Sequence, residues 1–163
     1  NKIEKVFIEN NNVVSLRLAT VFGVSPRMRD DLLVNDFVKK SCNDGYIVLF
    51  QENFRRNFIH VIDVAKTFHF SILNFHKMKN QSYNVGLSSA NLTKIQLANK
   101  IKKYIPNLQI LSSNYTEDPD KRDYIVSNKK LESLGWSPSQ NIDDGINELI
   151  KYYNLIINKN SNI

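Results

Sequence analysis

Near the middle of the chain, Arg56-Asn57-Phe58-Ile59-His60-Val61-Ile62-Asp63-Val64-Ala65 reads as a short strand running straight into a helix. Asp63 falls where that helix starts, and a carboxylate there complements the helix dipole and serves as a cap. If the strand is extended, Arg55 and Arg56 point to opposite sides. Strand signals and helix signals keep alternating on either side of this junction. That alternation predicts an α/β fold.

The other elements follow from pattern and punctuation. Residues 2–10 read as the end of a helix, with Ile3, Val6 and Phe7 at helical spacing, and Asn10-Asn11-Asn12 as a turn. Residues 13–18 are β-branched and apolar enough for a strand buried on both faces. Asp30 or Asp31 is expected to cap a helix to about Cys42, with Val34, Phe37, Val38 and Ser41 inward. Residues 46–50 and 58–61 read as strands, separated from that helix by the turn Asn43-Asp44-Gly45. The helix over 63–75 carries Val64, Phe68, Ile72 and Phe75 as an apolar stripe, with Phe70 and Leu73 on its other side. Residues 82–85 form a strand closed by Gly86, which permits a backbone turn. Thr93 and Gln96 make a capping box for a helix to about Tyr104, with Leu92 and Leu97 placed as its staple. A strand over 108–111 and an irregular stretch over 112–123 come next. Ser127 is expected to cap a short helix to Leu134, ended by Gly135. The last helix, about 143–157, turns Ile146, Leu149, Ile150 and Tyr153 inward, and the tail from residue 158 is expected to fray.

Composition narrows the class. The 163 residues are one domain's worth, 42% apolar and 23% charged. No apolar run approaches the roughly 18 residues of a membrane span, and no signal-peptide pattern opens the sequence. The single cysteine, Cys42, allows no internal disulfide and reads as a small packed hydrophobe. A soluble cytoplasmic protein is the expectation. The net charge of +6 favours anionic partners, yet no dense basic block marks a nucleic-acid tail and no RNA-binding motif occurs. The three histidines come with no pattern that supplies three or four convergent ligands, so no metal site is expected.

The segment 56–65 resembles the R-D-[FY]-[IV]-H-V-x-D-V-A motif of extended short-chain dehydrogenases/reductases, the NAD-dependent epimerase/dehydratase family that acts on nucleotide sugars. Three more segments resemble that family, in the family's order: Arg17-Leu18-Ala19-Thr20-Val21-Phe22-Gly23, Tyr83-Asn84-Val85-Gly86, and Asp120-Lys121-Arg122-Asp123-Tyr124 with Lys130, Leu134-Gly135-Trp136 and Pro138. The resemblance implies that about 1–24 and 62–90 complete a Rossmann-type parallel sheet. About 25–61 and 91–157 would then build a small α/β substrate-binding lobe. It also implies site residues. Arg56 and Arg122 would grip the diphosphate of a nucleotide sugar from opposite walls, as a planar guanidinium fork suits phosphate oxygens. Thr20, where many members carry Asn, would contact the sugar nucleotide. The backbone of Val21 and Phe22 would lie near the nicotinamide of NAD(P). Asn57 stands where Asp is usual. His60 would be structural, with a ring nitrogen satisfying a backbone group. Trp136 would be a packed aromatic.

Two family features do not occur in these 163 residues. None of the five glycines makes the G-x-x-G-x-x-G cofactor loop, and no tyrosine is followed by lysine four positions on. Lys2 precedes a helix, but it is not assigned as catalytic, and no catalytic residue is assigned. The expectation is therefore the C-terminal, substrate-binding part of an enzyme like a UDP-glucose 4-epimerase. Such a part would be inactive alone, and the full-length protein would be a homodimer free of nucleic acid and membrane. The alternative is a non-catalytic module that holds a nucleotide sugar or a partner.

Overall fold

The computed structural model describes residues 2–10, 12–113 and 122–160, without the side chains of residues 10 and 158–160. In chain order the elements are α1 (Lys2–Asn10), β1 (Val14–Leu18), β2 (Thr20–Phe22), α2 (Leu33–Asn43), β3 (Tyr46–Phe50), β4 (Arg55–His60), α3 (Val61–Leu73), α4 (Phe75–Met78), β5 (Gln81–Val85), β6 (Asn91–Thr93), α5 (Lys94–Tyr104), β7 (Gln109–Ser113), α6 (Lys129–Glu132) and α7 (Ile142–Asn160). This is the expected mixed α/β architecture. The expected turn at Asn11, the matches at Asp120 and Lys121, and the tail beyond residue 160 lie outside the described residues.

Among the described residues the strands form three small sheets. β1 pairs parallel with β5, so the segments expected at 13–18 and 82–85 do lie side by side. β2 pairs parallel with β4, which also pairs antiparallel with β6. β3 pairs parallel with β7. The chain crosses from the first sheet to the second at Ala19, whose N–H still donates to the Val85 carbonyl at 2.8 Å. β4 is the most deeply buried strand, with five successive buried residues from Arg56 to His60. The core gathers around it: Phe22, Phe58 and Ile59 from the sheet, Val34 and Phe37 from α2, Leu97 and Ile101 from α5, and Ile146 and Leu149 from α7.

Several local expectations are corrected. β1 has no fully buried residue, and Leu18 is exposed. Its partner β5 covers one edge, while no described strand covers the other. α2 starts after Leu32 with no side-chain cap. Asp30 and Asp31 are drawn away by cations: Asp30 meets Lys39 at 2.7 Å and Asp31 meets Arg29 at 2.6 Å. α6 is shorter than the helix expected to reach Leu134. Asn128 precedes it, and Ser127 instead offers its carbonyl to Asn84 Nδ2. α7 runs to Asn160, past the expected fraying point. An unforeseen pair, Asn141 and Asp144, closes its N-terminus through reciprocal bonds of 2.9 and 3.1 Å. The Thr93–Gln96 capping box forms as expected.

Helix α3 departs most from its pattern. The buried side carries Asp63, Thr67 and Ser71, while Phe68 and Ile72 are 52% and 73% exposed. The Thr67 and Ser71 hydroxyls donate to carbonyls one turn back, so the inward face is internally satisfied. Asp63 does not cap the helix. It accepts from Ser139 N–H at 2.9 Å, Ser139 Oγ at 2.6 Å and Gln140 N–H at 3.0 Å, pinning the loop before α7. The cap is His60, whose Nδ1 accepts from Ile62 N–H at 3.3 Å. That leaves the hydrogen on Nε2, which donates to Glu148 at 2.6 Å. A ring nitrogen thus satisfies a backbone group, as expected. Gly86 also has a different role, because its φ is not positive. A Cβ there would overlap Asn57 Oδ1, so close approach of β4, not a turn, demands glycine.

Gly86→Ala is expected to cost about 2 kcal/mol in urea unfolding through that overlap. The loss should shrink when Asn57 is also shortened to Ala. Ile3, Val6 and Phe7 on α1 are exposed together with Phe68, Ile72 and Leu73 on α3. Made alone, the chain should therefore self-associate. Phe68→Ser with Ile72→Ser should lower its apparent mass in light scattering, and a monodisperse monomer of the unmodified chain would contradict this.

Candidate functional site

The end of β2 opens onto two adjoining clefts. The larger, about 480 Å³, is walled by residues 18–23 with Asn35, Arg122 and Tyr124. The second, about 400 Å³, shares Thr20, Arg29, Leu32 and Arg122 with it and adds Arg56 and Lys94. Thr20, Arg56 and Arg122 therefore line one cleft, although Arg122 is far from the other two in sequence. Val21 and Phe22 line the larger cleft. The Phe22 ring packs edge-on against Phe58 and His60, with centroids 6.5 and 5.3 Å away, so Phe22 offers the cleft mainly its backbone.

Local chemistry explains how each wall is held. Arg55 and Arg56 face opposite ways on β4, as an extended strand requires. Arg56 is buried at 4% exposure, donates from Nη1 to the Arg55 carbonyl at 2.9 Å, and lies 5.6 Å over the Tyr124 ring. Arg55 turns outward and grips Asp123 with Nε at 3.0 Å and Nη2 at 3.1 Å. The Arg55 N–H also donates to Asp123 Oδ1 at 2.9 Å. These hydrogen bonds hold the Asp123 carboxyl well below its usual range, at about 2. A second clasp lies nearby: Asn91 and Val126 exchange bonds of 3.0 and 2.9 Å. Together the two clasps fasten residues 123–126 along β4 and β6, and this brings Arg122 to the clefts.

The opposite wall depends on Asn35, which sequence reasoning did not single out. It is buried, accepts from Gly23 N–H at 3.1 Å and donates to the Arg29 carbonyl at 3.0 Å. Gly23 has φ +111°, and a Cβ there would overlap His60 Nε2. Glycine is thus required twice over at the turn after β2. Asp123 was visible only as a neighbour of Arg122. Its pairing with Arg55 had no sequence signal, because the partners come from distant segments. Among the described residues, no group of three His, Cys, Asp or Glu converges as a metal site. Burial pushes the Cys42 thiol pKa up, which suits a packed side chain.

Residues 4–86 match the model of the NAD dependent epimerase/dehydratase family. The dTDP-D-glucose 4,6-dehydratase of Mus musculus is 27% identical over 154 residues, covering 86% of this chain and 41% of that protein. The UDP-glucose 4-epimerase of Thermotoga maritima, solved with UDP-glucose, superposes with a TM-score of 0.76 at 20% identity, over 94% of this chain and 51% of that one. The UDP-glucose 4-epimerase of Thermus thermophilus, solved with NAD, gives 0.74 at 21% identity, over 94% and 50%. The UDP-glucuronic acid 4-epimerase of Bacillus cereus gives 0.77 at 19%, over 93% and 48%. At these identities the structural matches show the fold, a Rossmann-like α/β architecture. The chain spans about half the length of these structures or less.

The Arg55–Asp123 clasp gives a pH signature. The Asp123 carboxyl titrates lower in the folded chain than its usual 3.8, so its stabilisation is complete above about pH 4 and is lost as pH falls through about 2. A carboxyl carbon NMR titration should show a midpoint near 2, and Arg55→Ala should return it toward 3.8.

Proposed function

This chain belongs to the NAD dependent epimerase/dehydratase family, and on that premise we propose that it is the substrate-binding part of an NAD(P)-dependent nucleotide-sugar epimerase or dehydratase, similar to a UDP-glucose 4-epimerase. The observation that carries the reading is the meeting of Arg56, Arg122 and Thr20 at one cleft. Two guanidinium groups there match the two charges of a diphosphate. In a semi-enclosed cleft that attraction exceeds its value in open water. Arg56 comes pre-oriented by its backbone bond and by Tyr124, so little side-chain freedom is lost on binding. Arg122 approaches from the 122–126 segment, and Thr20 lines the same cleft, where its hydroxyl would donate to, or accept from, the sugar nucleotide.

The cofactor fits the same picture. The larger cleft lies past the carboxyl ends of β1 and β2, the usual place for a ligand in a parallel sheet. Its wall includes the backbone of Val21 and Phe22, which would lie against a nicotinamide. When bound, NAD(P) supplies the hydride acceptor. The residues of this chain hold and orient the sugar nucleotide beside it, with Gly23 and Asn35 fixing the wall. A second reading is a non-catalytic nucleotide-sugar or partner-binding module. Turnover of UDP- and dTDP-sugars by the full-length protein with added NAD separates the two.

Calorimetry against a panel of UDP-, dTDP- and GDP-sugars should find a ligand. Arg56→Met and Arg122→Met should each weaken it by about tenfold or more, the loss of roughly 1.5–3 kcal/mol from a charged hydrogen bond. Unchanged affinity in both variants would refute the diphosphate assignment.

A further inference from the structure

The segment between β2 and α2 has no helix or strand of its own, yet it walls both clefts. Ser25, Arg27, Arg29 and Leu32 line the larger one, and Arg29, Asp31 and Leu32 line the smaller. Asp30, set between two cleft residues, lines neither. Its carboxylate is held by two helices instead. Oδ1 accepts from the Tyr153 hydroxyl of α7 at 2.7 Å, and Oδ2 accepts from the Lys39 amine of α2 at 2.7 Å.

The two partners differ in kind. The Lys39 and Asp30 side chains are 39% and 43% exposed, and an ion pair in that setting contributes little. Tyr153 is 3% exposed. A buried hydroxyl deprived of its acceptor costs more than the bond itself yields. Burial, together with the bond to Asp30, pushes the Tyr153 pKa up, so the hydroxyl keeps its proton and donates.

Tyr153 is itself firmly placed. It is buried on α7 with Ile146 and Leu149. Earlier on that helix, Gly145 meets the Phe22 ring so closely that a Cβ would overlap it, and Glu148 takes the His60 bond at 2.6 Å. α7 is thus seated on β2 and β4 before it reaches Asp30. From α2, Asn35 Nδ2 donates to the Arg29 carbonyl at 3.0 Å. Residues 29 and 30 are therefore tied to two different helices, which fixes the backbone that carries the cleft residues.

Resting on the nucleotide-sugar reading above, we propose that Tyr153 is a positioning residue for that site. It lines neither cleft and acts through Asp30, holding residues 25–32 where their side chains meet the ligand. The affinity of the site then depends on one hydroxyl of the last helix.

The full-length protein is titrated calorimetrically with UDP, dTDP, GDP and CDP, and its variants with whichever binds most tightly. Tyr153→Phe keeps the ring in the core and removes the bond. It should weaken that nucleotide about fivefold, the equivalent of one ordinary hydrogen bond. Asp30→Ala should do the same, and the double variant should bind no more weakly than either single one. Asp30→Asn still accepts from the hydroxyl and should keep most of the affinity, while Lys39→Met should leave it unchanged. Amide exchange over residues 25–32 should quicken in Tyr153→Phe while exchange over β5 stays the same. A Tyr153→Phe protein that is less stable in urea but binds as tightly as wild type has lost only a structural bond, and that result overturns the proposal. Unchanged exchange over 25–32 overturns it too. If Tyr153→Phe does not fold, Asp30→Ala, altered at a partly exposed carboxylate, carries the same two readouts. Failure of all four nucleotides to bind wild type overturns the nucleotide-sugar reading itself, and this inference with it.

Discussion

Strand β4 is bonded on both edges and buried from Arg56 to His60, and the rest of the structure is arranged around it. A strand in that setting cannot slip by one residue without turning its core residues outward. Its register therefore fixes several things together. Phe58 and Ile59 enter the core, Asn57 meets Gly86, and His60 caps α3 while holding Glu148 of α7. Arg56 reaches the cleft from the same rigid segment. Its partner on β6, Leu92, is fixed by the same register. This part of the cleft wall is built on a strand, so Arg56 keeps its place through that register.

Electrostatics shapes the cleft by pairing some charges and concentrating others. Arg55 is spent on Asp123, and that pair acts as a clasp closing the 122–126 segment over β4. Arg56, one residue away on the opposite side, lines the cleft. Two adjacent arginines thus take different surroundings, one outward on Asp123 and one inward at the cleft, and strand geometry decides which is which.

Helix α3 shows how tertiary context overrides an amphipathic pattern. Its apolar residues Phe68, Ile72 and Leu73 face outward, and Asp63, Thr67 and Ser71 face inward. The inner face is stable because each polar group finds a partner: a carbonyl one turn back, or the 139–140 backbone for Asp63. A buried carboxylate with three donors is well solvated by protein. α1 repeats the outward apolar display with Ile3, Val6 and Phe7. Hydrophobicity in these two helices therefore does not mark the interior of this chain.

Much of this molecule is set by local rules that need no partner. The alternation of strand and helix, the Thr93–Gln96 box, the turn glycine at position 45 and the strand–helix junction at 56–65 all depend on residues within a few positions of one another. So does the opposite facing of Arg55 and Arg56, and motif resemblance pointed to Thr20, Arg56 and Arg122. Distant encounters lay beyond that reach: Asp123 on Arg55, Ser139 on Asp63, Glu148 on His60, and Asn35 bridging Gly23 and Arg29. The same holds for the inward face of α3 and for the burial of Lys94 in the cleft. A hydrogen bond between segments far apart in sequence forms only when packing has already brought them together, and no local pattern encodes that meeting.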